Sequence, residues 1–167
     1  MSYFAAALAR TPDGWTAHEL DLDGAADVDE VADRVRDVDG NADTALLFVE
    51  EDDEYLAILR IDSEVDGLRV FVSDGHAAET YPVAEIFAGA VEDPAASASA
   101  SEDDDEDDSP GLDFEPLGDA DLLADLGTPR PVLIALVQHE GTLPADVITE
   151  VCERAGCIDE LETLRGA

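Results

Sequence analysis

The sequence predicts an α+β fold: an antiparallel sheet of about five strands with helices on one face, an acidic linker, and a small C-terminal helical module. Three observations carry that reading. Residues 2–73 alternate mostly with the period of strands, interrupted once by a helical stretch. Residues 92–111, "EDPAASASASEDDDEDDSPG", contain no aromatic residue, leucine or isoleucine and are too poor in apolar side chains to fold alone. After them the apolar spacing becomes helical. The 167 residues therefore divide into an α+β domain over 1–91, a disordered acidic linker over 92–111 and a helical module over 112–167.

Each element has a local reason. "SYFAAALAR" and "WTAHELDL" flank "TPDG", whose Pro12 and Gly14 suit a tight turn, so residues 2–22 read as a hairpin. "DVDEVADRVRDV" sets Val28, Val31, Ala32, Val35 and Val38 on one helical face, with Asp27 and Glu30 spaced as a capping box. "TALLFVE", "YLAILRI" and "LRVFVS" read as three further strands joined by acidic turns, giving the order ββαβββ. "DGHAAETYPVAEIFAGA" is expected to be helical for part of its length.

Beyond the linker four short helices are expected. Asp119 caps the first, over "LGDADLLADLG", and Gly127 ends it. "TPRPVLIALVQHEG" has prolines at the start and glycine at the end of the second. In the third, Val147, Ile148, Val151, Cys152 and Ala155 form an apolar stripe. Ile158, Leu161 and Leu164 mark the last. Such a module is weak unless it packs on the sheet or on a partner.

Charge is the most unusual total. Forty-three Asp and Glu face eight basic residues, all arginine, for a net charge of −35. The excess is spread along the chain: −17 over residues 1–91, −9 over 92–110 and −9 over 111–167. Phosphate-backbone binding requires arrays of Lys and Arg, so direct nucleic-acid binding is not expected. The field suits a basic protein partner, or else solubility or adaptation to salt. No apolar run is long enough to span a membrane, and the first residues lack the basic region of a secretory signal, so a cytoplasmic location is expected. Oligomeric state is left open.

Few residues suggest chemistry. Cys152 falls on the apolar stripe of its helix and Cys157 follows Gly156, the residue expected to end that helix; the pair reads as a helix end. His18, His76 and His139 lie on different elements without ligand spacing, so neither metal nor cofactor is expected. In "FVSDGHAAETY", Ser73, Asp74 and His76 leave a strand end together and form the candidate ligand or hydrolase-like site. Sequence neighbours on one turn rarely have triad geometry, and the simpler reading is that Ser73 or Asp74 caps the next helix. Glu102, Asp103, Asp104, Asp105, Glu106, Asp107 and Asp108 form a candidate acidic docking arm; spacing between modules is the plainer role for this stretch.

The order of segments resembles an actinobacterial family of tRNA adenosine deaminase-associated proteins. "YFAAALARTPDGW", "ALLFVEEDDEYLAILRID", "LRVFVSD", "LADLG" and "CERAGCIDELETLR" carry the resemblance, over nearly the whole length apart from the linker. It implies a non-enzymatic accessory protein beside the deaminase that makes inosine in tRNA. The deaminase's own zinc chemistry needs H-x-E and P-C-x-x-C, and "VCERAGC" has neither the proline nor the spacing.

Overall fold

The computed structural model describes residues 3–38, 40, 42–51, 54–63, 68–74, 77, 79–92, 117–139 and 141–166. The expected linker core, residues 93–111 with the acidic run 102–108, lies outside them, as does His76.

The N-terminal order is the expected one. β1 (Tyr3–Thr11) and β2 (Gly14–Glu19) form a hairpin closed at the Thr11↔Gly14 pair. Thr11 Oγ1 accepts from Asp13 N–H and donates to the Gly14 carbonyl, which fixes the turn. α1 (Val28–Arg36) follows, then β3 (Thr44–Glu51), β4 (Tyr55–Asp62), β5 (Leu68–Val72) and α2 (Pro82–Glu92). Asp27 caps α1 by accepting from Glu30 N–H, while the Glu30 carboxylate accepts from the N–H of Ala26, one residue before the cap, so only half of the expected capping box forms.

All pairings are antiparallel, in the order β2-β1-β3-β4-β5-β6. β1 is inserted between β2 and β3, so the connection through α1 must cross one face of the sheet. β6 is a two-residue strand, Leu117–Gly118, added to β5. A Cβ on Gly118 would collide with the Val70 carbonyl, and its φ of 98° is one that glycine tolerates, so this close pairing depends on glycine.

The side-chain period of two divides the sheet into two buried faces. Ala5, Ala7, Leu47, Val49, Leu59, Val70 and Val72 pack with Val31 and Val35 of α1 and with Ala84 and Phe87 of α2. The opposite set, Ala6, Leu8, Leu46, Phe48, Leu56, Ile58 and Phe71, packs against residues C-terminal to position 119. Covering both faces explains why β3 and β4 read as continuous apolar runs rather than clean alternation. The helices on one face that the sequence predicts are α1 and α2; the C-terminal helices cover the other.

Those helices are α3 (Arg130–Gln138), α4 (Pro144–Ala155) and α5 (Ile158–Gly166). The stripe of α4 is buried as expected, at Val147, Ile148, Val151 and Cys152. The helix expected over residues 119–126 is instead a series of turns ending in a 3-10 turn, Ala124–Leu126. The reason lies in Asp119, whose carboxylate accepts from Asp121 N–H and binds Arg69, holding the backbone in a turn rather than capping a helix.

Candidate functional site

Strand β4 carries the least expected side chain. Arg60 follows Leu59 in an apolar run, points to the C-terminal face and is only 5% exposed. Its Nε–H faces both oxygens of Asp62 at 3.1 Å. Its two terminal nitrogens grip Asp125 at 2.6 and 3.0 Å, and Nη1 also reaches the Leu122 carbonyl at 2.6 Å. These bonds hold the Asp125 carboxyl below its ordinary value of 3.8 and raise the Arg60 guanidinium above its own, burial opposing both shifts. One strand further, Arg69 binds Asp119 at 2.8 Å. Both ties join the sheet to the 119–126 turns.

The remaining arginines are likewise engaged within the chain. Arg10 lies over Trp15, 5.8 Å from the ring centre, and Arg34 donates to the carbonyls of Asp21 and Asp23. Arg36 pairs with Asp33, Arg130 with Asp121 and Arg154 with Glu150. Arg165 donates to Thr149 Oγ1 and Ala145 O and stacks over Phe4. Every one of the eight positive side chains therefore has an internal contact, while carboxylates far outnumber them.

Ser73 and Asp74 do meet at a concavity. A cleft of about 210 Å³ lies between the β4 and β5 ends of the sheet and the α3–α4 connection. Glu54, Ser73 and Asp74 line one side, Gln138, His139 and Thr142 the other. The serine, however, serves the sheet. It is 8% exposed, its N–H donates to the Leu56 carbonyl at 2.8 Å, and its Oγ accepts from Leu56 N–H at 2.9 Å. Ser73 thus extends the β4–β5 ladder and caps no helix; α2 begins only at Pro82. Among the described residues the histidine that lines this cleft is His139, whose Nδ1 lies 3.0 Å from Thr142 Oγ1. Sequence reasoning singled out Ser73, Asp74 and His76, set His139 aside for want of ligand spacing and passed over Thr142; His139 and Thr142 arrive from an element some 65 residues on. No local signal joins them.

The cysteines occupy a helix end. Gly156, at φ 90°, takes the left-handed conformation after α4, and the N–H groups of Gly156 and Cys157 both donate to Cys152 O at 2.9 Å. Both thiols are buried and free. A hydrogen bond with Cys157, reinforced by burial, pushes the Cys152 thiol far up, so the pair packs as two small hydrophobes. Among the described residues no group of three or more His, Cys, Asp or Glu is placed to hold a metal, and no helix is long and apolar enough to cross a membrane.

The fold is that of an α+β protein, strongly acidic, with its arginines held in internal contacts. The chain belongs to the Rv3753c-like tRNA adenosine deaminase-associated proteins, whose family model matches residues 3–158. That description is of a protein associated with the deaminase, not of the deaminase itself. No curated protein and no solved structure is significantly similar to the chain.

Proposed function

We propose that this chain is a non-enzymatic accessory protein that binds a basic protein partner, the tRNA adenosine deaminase, through its acidic surface. The observation that carries the reading is the internal engagement of all eight arginines, which leaves the net charge of −35 to dominate the outer field. A tRNA-binding enzyme presents positive surface, and opposite fields steer and orient such an encounter. The acidic arm, residues 102–108, adds to that attraction. In this reading the chain makes no direct contact with nucleic acid and works in the cytoplasm, beside its partner.

Calorimetric titration of the full chain into the deaminase of the same organism tests this, at low and at physiological salt. Binding that weakens as salt rises is the expected result, since screening shortens the reach of charge to about 8 Å at 0.15 M. Displacement by tRNA would place the contact on the enzyme's tRNA surface, and deletion of residues 92–110 would measure the share of the arm. No heat at either salt sinks the proposal. The lining of the cleft by Ser73 and Asp74 favours a second reading, a small-ligand binder or hydrolase-like enzyme with its site in the segment Ser73–His76. It requires that His76→Ala abolish ligand binding while leaving the fold intact.

A further inference from the structure

We infer that the cleft between the sheet end and the α3–α4 connection is a socket for an arginine side chain of a protein partner, flanked there by an apolar residue. This deepens the accessory-protein reading by naming the point of contact. The lining of the cleft includes the apolar side chains Leu56, Val137, Pro144 and Val147, which suit the methylene stem of a long basic side chain. Its edge carries two carboxylates, Glu54 and Asp74, together with Gln138 and Thr142, whose side-chain oxygens are acceptors.

Two further observations point the same way. Val137, Gln138 and His139 are the last turn and cap of α3, so the negative end of that helix faces the cleft. The start of α4 lies nearby with the opposite partial charge, and Asp146 in its first turn answers it, accepting from Leu143 N–H at 3.3 Å. Then there is Leu143 itself, between the lining residues Thr142 and Pro144. It is 45% exposed, the one large apolar side chain that the described residues leave exposed. A cationic pocket-filler beside an apolar contact is the pattern such a rim accepts. Arginine suits it better than lysine, because the planar guanidinium offers five donors to acceptors on several sides and sheds water more readily. A second copy of this chain is disfavoured by the repulsion between two charges of −35.

The test has two arms on the full chain. First, the nitrogen-15-labelled protein is titrated with a blocked Leu-Arg-Leu tripeptide and with its citrulline counterpart, which keeps shape and loses charge. Amide shifts confined to Ser73, Gly141, Thr142 and Leu143 are expected, with about tenfold weaker binding of the citrulline peptide and about threefold weaker binding to Glu54→Gln. Equal binding of both peptides, shifts spread over distant carboxylates such as Asp29 and Asp33, or no shifts at all overturn the socket. Second, the deaminase is titrated with wild type, Glu54→Gln and Leu143→Ser, surface changes that leave the core untouched. Undiminished binding of both variants would overturn the socket while the accessory reading stood. Peptide binding without deaminase binding would keep the socket and remove that partner.

Discussion

The two faces of the sheet are covered in different ways. Against α1 and α2 the contact is almost wholly apolar, with Phe87 and the valines of α1 pressed on alanines, leucines and valines of the strands. The opposite face has a comparable apolar layer, but at the β4–β5 edge it is also pinned by Arg60 and Arg69. The first cover comes from elements next in sequence to the strands they touch. The second comes from short helices far along the chain, which gain little by forming alone. Desolvating Arg60 is costly, and its bonds to Asp62, Asp125 and Leu122 O offset much of that cost. The fork of donors also admits the 122–125 turn in one position only, so the distant segment is located as well as held.

That contrast can be broken at either face. The largest effect is expected from Phe87→Ala on the apolar side, where the ring is fully buried: a loss of about 3–5 kcal/mol by denaturant unfolding. Arg60→Ala should cost about 3 kcal/mol, since the buried Leu122 carbonyl loses the guanidinium and Asp62 keeps only Thr44 Oγ1. Hydrogen exchange separates the two: the arginine variant should lose protection first over residues 119–126, and uniform loss would refute a locating role.

Asp125→Asn sharpens the same point with pH. The aspartate side chain is 60% exposed, so the cost is discounted to about 1 kcal/mol near neutrality. Because the folded carboxyl titrates below its ordinary 3.8, its contribution is complete above that value and is lost as pH falls through the lowered one. The stability gap between wild type and variant should therefore close in acid, below about pH 3.8; a gap unchanged there would mean the charge is not what matters. Smallest of all, Arg36→Ala removes an exposed i, i+3 pair with Asp33 and should shift stability by less than about 0.5 kcal/mol. A larger loss would show that α1 also depends on charge.

Much of this was legible in the residues. The Asp27 cap of α1, the hairpin turn, the prolines opening α3 and the glycine ending α4 are local devices, and each acts where its spacing places it. Asp119 misled for a physical reason: the same carboxylate that can cap a helix can hold a turn, and Arg69 on β5 decided between them. Arg60 gave no warning either, since a lone arginine in a strand ordinarily marks an exposed position. Of the candidate site, Ser73 and Asp74 were visible as a strand end, whereas their neighbours His139 and Thr142 depend on how α3 and α4 dock.

The sequence by itself determined the charge, the positions of the strands and most helices, and the apolar stripe each would bury. These follow from composition and from periods of two and 3.6, which need no knowledge of distant residues. Only the tertiary structure decided which face the C-terminal helices cover, that an arginine would be buried to receive them, and that a cleft would open beside Leu143. Those outcomes rest on contacts between residues some 60 to 160 positions apart, and burial at such separations is settled by what arrives opposite, which no local pattern encodes.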